Sequence, residues 1–576
     1  MNTTHFLTAA IIMMVLFTSC SSNSSSPQYT LTLTASPAEG GTASSNEQVY
    51  DEGSTATITA TANPEWVFVR WEGDYGGTNN PATVSMNTDK NIVALFEKKS
   101  YALTVITSGE GTVDEQIIQT KSTDYESGTV VELLATPAEG WEFVRWEGAI
   151  TGNTNPTQIT IDNPKQVTAV FEQPLFRTSN GVTVMCGAAQ VGDSGSVNGV
   201  TYTKRTADQI TPANAPTTCT SGITFMRDLF RDEATFNGDI SHWDVSSVTR
   251  MDTMFSGAAS FNQDLNSWDV SSVENMSFMF AGALAFNGDI SSWDVSSVRE
   301  VPGMFAGANS FNGDLSNWNV SLVENMSFMF AGANAFNADI SSWDVSSVIN
   351  MGSMFSNASS FNGDLSKWNV SAVTTMSYMF NEATSFNGNI SSWDVSSVTN
   401  MRYMFRNASS FNQDLNNWDV SSVENMSFML YNAQSFNRDI NDWNVASVTT
   451  MNSMFTSASS FNGNISSWNV SSVTNMGYMF ADASSFNQDL SNWDVSSVES
   501  MRYMFTLADS FNQDISSWDV SSVTEMDGMF SNASTFNQDL TGWCVTNILS
   551  EPMGFAGGSS ALLSSNFPLW GNCPGS

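Results

Sequence analysis

The stretch MDTMFSGAASFNQDLNSWDVSSV, residues 251–273, decides the fold because close copies of it follow one another along the chain. Tryptophans mark a 25-residue period from Trp243 to Trp543, which defines thirteen units without an insertion or deletion. A fixed period of this length is typical of repeat proteins, in which each unit packs against its neighbours. The sequence therefore predicts a single stacked array over residues 225–543.

Each unit combines two apolar patterns. The apolar positions from Met251 to Phe261 are spaced i, i+3, i+4, i+7 and i+10, which predicts one face of a short helix. Those from Leu265 to Val273 follow L-x-x-L-x-L spacing, which predicts a short strand at residues 268–270. The predicted fold class is an α+β repeat solenoid, leucine-rich-repeat-like, with thirteen coils of a 25-residue repeat, preceded by two small all-β modules.

The positions that never change between units include an asparagine, the phenylalanine before it, and the tryptophan. We predict that stacked copies form a structural ladder, represented by Asn237, Asn262, Asn287, Asn312, Trp243, Trp268, Trp293 and Trp318. The position of Asp264 carries asparagine at Asn389 and Asn464, so charge is not required there. This exchange favours capping of turn amides over a calcium-binding ladder, which remains the alternative.

The unit resembles the BspA-type leucine-rich repeat surface proteins of bacteria, in which M-x-x-M-F-x-x-A-x-x-F-N-x-D-[IL]-S-x-W-D-V-S-S-V recurs. The resemblance implies a role at the cell surface in adhesion, without naming a ligand. Because the unchanging positions are expected to form the core, recognition is expected at positions that vary between units, such as Lys367, Arg402, Arg406 and Arg502.

Residues 28–97 and 101–173 are copies of each other, since WVFVRWEG at 66–73 returns as WEFVRWEG at 141–148. Short alternating apolar runs separated by Gly, Pro and Asn predict two small all-β modules. They resemble the divergent internalin-type repeat (InlB B-repeat-like), which implies an extracellular spacer. Trp71 and Trp146 are possible sugar platforms within them.

The N-terminal segment, residues 1–20, predicts export. A short apolar run ends in Phe17-Thr18-Ser19-Cys20, which resembles a bacterial lipobox and implies lipidation of Cys20. An ordinary signal peptide is the alternative. Residues 21–27 are polar and predict a tether.

Four further cysteines form two local pairs, Cys186 with Cys219 and Cys544 with Cys573. An even number in an exported chain predicts two disulfides, with zinc binding as the alternative. Each pair flanks one end of the array, so residues 174–224 and 544–576 are predicted to be its caps.

Charge and chemistry restrict the function. Asp and Glu outnumber Lys and Arg 57 to 19, which gives a net charge of −38 and argues against nucleic-acid binding. The only histidines are His5 and His242, so a serine triad in the mature chain has no suitable base, and neither a metal cluster nor a phosphate loop is recognisable. No enzymatic activity, metal or cofactor is expected.

The predicted function is that of a lipid-anchored adhesin at the cell surface, in the outer membrane if the cell is Gram-negative. Its array would bind a host, cell-surface or matrix macromolecule, either a protein or a glycan. A glycan-binding surface lipoprotein and a purely structural envelope or matrix protein are the alternatives.

Overall fold

The computed structural model describes residues 26–116, 124–558 and 560–574. The signal peptide, Cys20 and nearly all of the tether lie outside the described residues. The chain divides into two compact units, Met1–Pro174 and Leu175–Ser576, and the two are described separately.

The first module contains two sheets. Its strands are β1 (Gln28–Ser36), β2 (Gly41–Ser45), β3 (Val49–Asp51), β4 (Thr55–Ala62), β5 (Trp66–Gly73), β6 (Ala82–Ser85) and β7 (Lys90–Lys98). One sheet has the order β3-β1-β7-β5, with β1 and β7 parallel, and the other has the order β2-β4-β6. A 3₁₀ turn at Ala38–Gly40 links β1 to β2.

The second module repeats this arrangement. Its strands are β8 (Ser100–Ser108), β9 (Gly111–Gln116), β10 (Asp124–Glu126), β11 (Thr129–Pro137), β12 (Glu142–Gly148), β13 (Thr157–Ile161) and β14 (Lys165–Glu172). The sheet orders are β10-β8-β14-β12 and β13-β11-β9. In each module the alternating residues bury one face around a central tryptophan, as the period-two pattern predicts.

The second unit begins with two small sheets that precede the array. They comprise β15 (Arg177–Ser179), β16 (Thr183–Met185), β17 (Ser194–Val197), β18 (Val200–Lys204) and β19 (Thr218–Cys219). Short 3₁₀ turns lie at Ala207–Gln209, Ala215–Thr217 and, beyond the array, Ser564–Asn566. The carbonyl of Ala215 accepts a hydrogen bond from Nε1 of Trp243, so this segment covers the first repeat.

The predicted α+β solenoid is wrong, because the described residues contain no α-helix and the array is built from turns. Thr253 and Gly257 have φ values of 58° and 75°, in the left-handed region, which a right-handed helix cannot include. The backbone N–H of Thr253 instead donates to the carbonyl of Ser277 in the next unit at 2.9 Å, while Ser256 N–H closes a local turn onto Thr253. Hydrogen bonds between units thus replace those of a helix.

The predicted strand at residues 268–270 is also absent. Neighbouring units are joined by single parallel bridges at the position of Arg250, Asn275 and Glu300, just before the first apolar residue of the unit. The array is therefore a stack of turn-rich units connected by bridges that are each one residue long.

Aromatic columns form the core of the array. Phe255 stacks on Phe280 of the next unit with 5.4 Å between ring centroids, and Trp268 stacks on Trp293 at 6.3 Å. Within a unit, Phe255 lies 4.1 Å from Phe261. These side chains are almost completely buried, so the apolar positions that suggested a helix do form the core. In the part of the chain that the structure describes, no helix has the length and apolar character needed to cross a bilayer.

Candidate functional site

The unchanging asparagines act as hydrogen-bond acceptors between units. The backbone N–H of Asn262 donates to Oδ1 of Asn237 at 2.9 Å, and Asn287 donates to Asn262 at 2.7 Å. The same contact joins Asn312 to Asn287. A side chain that accepts without carrying charge can be stacked in thirteen copies without repulsion, which explains why this position is never aspartate.

The unchanging tryptophans are part of the core. Trp243, Trp268, Trp293 and Trp318 are at most 4% exposed. The Nε1–H of Trp268 donates to the carbonyl of Ile240 at 3.0 Å, and Trp293 makes the same bond to Leu265. Their polar edge is satisfied inside the stack, so they are not available to a ligand.

The aspartates of the array cap turns. Oδ1 of Asp294 accepts the backbone N–H of Ser296 at 3.0 Å. Hydrogen bonds from the Ser296 hydroxyl and backbone lower the pKa of the Asp294 carboxyl below its usual value. Within the described ranges, no group of three or more His, Cys, Asp or Glu side chains is placed to hold a metal ion.

Both cysteine pairs are disulfides at the ends of the array. Cys186 is bonded to Cys219 and Cys544 to Cys573, with Cα–Cα distances of 6.3 Å and 4.0 Å. Cys219 belongs to β19, which precedes the first repeat, and Cys544 follows the last tryptophan. The disulfides therefore fasten the segments that adjoin the first and last units.

The two tryptophans considered as sugar platforms in the β modules are not on the surface. Trp71 is 0% exposed and Trp146 is 1% exposed. Their Nε1–H groups donate to the carbonyls of Asn79 and Thr154. The alternation of apolar residues places them on the core face, so their role as platforms is excluded.

A row of partly or fully exposed aromatic side chains runs along the array, which the sequence reasoning missed. The aromatic row consists of the aromatic residues that lie two positions after the first methionine of their units: Phe278, Phe328, Tyr378, Tyr403, Phe428, Tyr478 and Tyr503. Phe328 is 49% exposed and Tyr478 is 43% exposed. Large apolar side chains that recur on one surface are typical of an interaction site.

The backbone of the aromatic row is unusual. All seven residues have φ values between 54° and 61°, a region that bulky residues rarely adopt and that costs roughly 1–2 kcal/mol per residue. Gly303 and Gly528 occupy the same position in other units, so the turn accepts glycine without this cost. Aromatic residues are kept at a position where glycine would be easier to accommodate, which points to a role for the rings themselves.

Arginines flank the row. The guanidinium of Arg402 lies 4.7 Å from the ring centroid of Tyr403, and that of Arg502 lies 5.9 Å from that of Tyr503. Arg406 lies over Tyr431 at 5.5 Å and pairs with Glu382 at 2.8 Å. The three arginines expected at variable surface positions are thus brought together with aromatic rings, whereas Lys367 lies at a different position of the unit.

Comparisons with known proteins find matches in two parts of the chain. Residues 31–100 and 101–174 each match the family model described as Divergent InlB B-repeat domain. Searches of curated proteins and of solved structures find no match.

The repeats match a second family. Four overlapping matches, at residues 203–317, 288–384, 364–466 and 461–561, together cover more than half of the chain. The description of this family does not name leucine-rich repeats, and both matched families are typical of surface-exposed bacterial proteins. The chain belongs to the family described as Mycoplasma protein of unknown function, DUF285.

Proposed function

We propose that this chain is a non-enzymatic interaction protein of the bacterial cell surface, exported and anchored through a lipid on Cys20, in the outer membrane if the cell is Gram-negative. Its array binds a host, cell-surface or matrix macromolecule, and the aromatic row is the contact surface. The exposure of Phe328 and Tyr478 on a strained backbone is the observation that carries this proposal.

Three further observations support it. The family matches are consistent with a surface-interaction role. Many aspartates of the array serve as turn caps, as Asp294 does for Ser296, and so hold structural positions. The row also combines flat apolar rings with the guanidinium groups of Arg402 and Arg502, a composition enriched at interfaces.

An adhesion assay tests this function. The mature chain is attached through its N-terminus to fluorescent beads, which are incubated with epithelial cells, other bacteria and extracellular matrix. In the row variant, serine replaces Phe328, Tyr378, Tyr403, Phe428 and Tyr478. Serine already occupies this position at Ser353 and Ser453, so the turn tolerates it.

The matched control also carries five serine substitutions, at exposed positions that immediately precede a tryptophan: Asn317, Lys367, Asn417, Asp442 and Asn492. We expect the row variant to lose at least 80% of the adhesion of the wild type and the control to retain it. Equal adhesion by the row variant and the wild type would contradict the assignment of binding to the row.

A further inference from the structure

The aromatic row is interrupted at two places with the same pattern. Ser353 stands between Phe328 and Tyr378, and Ser453 stands between Phe428 and Tyr478. Both serines have φ values close to those of the rings, 58° and 57°, so the backbone of the row continues through them. We call these two interruptions the Ser353 slot and the Ser453 slot.

The slots have the width of one flat ring. Where the row is continuous, Tyr378 stacks on Tyr403 and Tyr403 on Phe428, each with 4.5 Å between centroids. Residues of the row two units apart are therefore about 9 Å apart, and apolar atoms make contact at ~3.5–4.0 Å. A single ring inserted between Phe328 and Tyr378 would contact both.

A cleft is present at the Ser353 slot. It has a volume of about 510 Å³ and is lined by Phe328, Tyr378 and seven small or polar residues of the units between and beside them. Ser353 is only 8% exposed and forms part of the lining. By contrast, a Cβ on Gly303 would lie 2.3 Å from the ring of Phe278, so the Phe278 ring covers the equivalent position there.

The polar groups of the lining suit a ligand ring that carries hydroxyl groups. It contains the hydroxyls of Ser353, Ser356 and Ser377, and none of its nine residues is charged. Ser356 Oγ accepts hydrogen bonds from Nδ2 of Asn381 at 3.0 Å and of Asn357 at 3.2 Å, which leaves its own hydroxyl hydrogen to donate. Apolar walls with a few polar groups between them are typical of sites that orient a small ligand.

We propose that each slot holds one neutral sugar ring of an oligosaccharide or polysaccharide, an inference that rests on the proposed function and names its ligand class. The two C–H faces of the sugar pack against the aromatic walls, and its hydroxyls bond to the serine and asparagine groups between them. An aromatic side chain would fit the width but would offer no hydroxyl groups to Ser353 and Ser356 between the walls. The charge of −38 disfavours acidic polysaccharides and nucleobases of nucleic acids.

The two slots suit a linear polymer. They belong to the same row and lie four units apart, roughly 19 Å if each unit adds ~4.8 Å. One chain of sugars can place one ring in each slot if it enters and leaves each slot through its open side, because glycosidic bonds leave a sugar ring close to its plane. Binding at both slots then raises the affinity above that of either one alone.

The test fills the slots with the side chain that neighbouring units already carry. Ser353→Tyr and Ser453→Tyr complete the row in the manner of Tyr378 and Tyr403, which adopt the same backbone conformation. Thr253→Tyr is the matched control, because it adds a tyrosine to the row at a position with Asp228 on one side. Phe328→Ser with Phe428→Ser removes one wall of each slot instead.

The probes are neutral hexasaccharides of glucose, mannose, galactose and N-acetylglucosamine, measured by calorimetry with the mature chain. At least one should bind the wild type and the Thr253→Tyr control equally. We expect each single filling to weaken binding several-fold, and both double variants to weaken it at least 10-fold. Lack of binding by all four, or undiminished binding by the doubly filled variant, would overturn the proposal.

The same variants separate this inference from the proposed function in the bead assay. In one outcome, the row variant loses adhesion, the doubly filled variant keeps it, and no hexasaccharide competes. The row then binds something other than sugar in the slots, and only the inference fails. Competition by a tyrosine-rich peptide in place of the hexasaccharides would likewise overturn only the inference. If the row variant still adheres, the proposed function itself fails.

Discussion

Asn412 donates its backbone N–H to Oδ1 of Asn387 in the preceding unit at 2.9 Å, and Gln413 Nε2 donates to the same oxygen at 3.0 Å. Asn387→Ala removes this acceptor and should lower the free energy of unfolding by about 1 kcal/mol. Asn387→Asp keeps the acceptor, and the asparagines at the equivalent positions of the adjacent units are neutral. This variant should therefore lose less than half as much free energy of unfolding. Urea denaturation followed by tryptophan fluorescence measures both, and equal losses would contradict a role based on acceptance alone.

The buried indole N–H groups hold neighbouring units together. Trp393 Nε1 donates to the carbonyl of Leu365 at 3.0 Å, and the side chain is 3% exposed. Trp393→Phe removes this bond between units, although the Leu365 carbonyl still accepts the backbone N–H of Trp368, and it opens a small cavity, so we expect a loss of about 2 kcal/mol. Ser392→Ala, which removes an exposed hydrogen bond to Ser366, is the control and should lose less than ~1 kcal/mol. Similar midpoints of unfolding for the two variants would contradict this account.

His242 should make the stability at the start of the array depend on pH. Its Nε2 lies 3.0 Å from the carbonyl of Thr218, Tyr202 packs against its ring, and Asp239 is the nearby acid. Burial lowers the pKa of His242 below 6.5, while the Thr218 hydrogen bond and Asp239 oppose this shift. As the pH falls below 6.5, the unfolded chain therefore takes up the proton first, and stability decreases towards the folded pKa.

Thermal unfolding between pH 8 and pH 5 checks this expectation. The difference in Tm between the wild type and His242→Gln should be constant above pH 7 and should change in favour of the variant below pH 6.5. Glutamine keeps a donor for the Thr218 carbonyl and has no titration in this range. Parallel curves of Tm against pH over the whole range would show that His242 does not contribute to the pH dependence of stability.

The disulfides should stabilise both ends of the array. Cys186 and Cys219 are 33 residues apart. Closing a loop of this length lowers the entropy of the unfolded chain, which stabilises the folded state by about 4 kcal/mol. The Cys186→Ser, Cys219→Ser double variant should unfold at a lower temperature and be cleaved by protease near the first repeat earlier than the wild type. Unchanged proteolysis at the first repeat would mean that the cap holds without the bond.

The core of the array could be predicted from the sequence, but its backbone could not. The apolar positions from Met251 to Phe261 are buried as expected, since a series of four-residue turns places side chains on one face at nearly the spacing of a helix. Residues with positive φ distinguish these turns from a helix. They include Thr253, Ser353 and Tyr403 as well as glycines. Because these residue types are not typical of positive φ, the sequence contains little local signal for the turns.

The aromatic row was missed for a related reason. Its position carries Phe, Tyr, Ser, Thr, Asp or Gly in different units, which resembles neutral variation at a surface site. The structure shows that the backbone at this position is left-handed. The presence of glycine at Gly303 and of tyrosine at Tyr403 is then informative, because the left-handed conformation costs tyrosine more free energy than glycine. Arg402, Arg406 and Arg502 could be predicted as surface residues, but their contact with the rings depends on how the turns direct them.

The hydrogen bonds between units recur at equivalent positions, as in the pairs Thr253 to Ser277 and Ser353 to Ser377. Removal or duplication of one whole repeat therefore leaves the backbone groups at the junction with equivalent partners, and the two capped ends are unaffected. Recombination between near-identical repeats can change the length of the array without a folding penalty at the junction. It also changes the order of aromatic and small residues along the row, so the number and spacing of slots can diversify among close descendants while the scaffold stays the same.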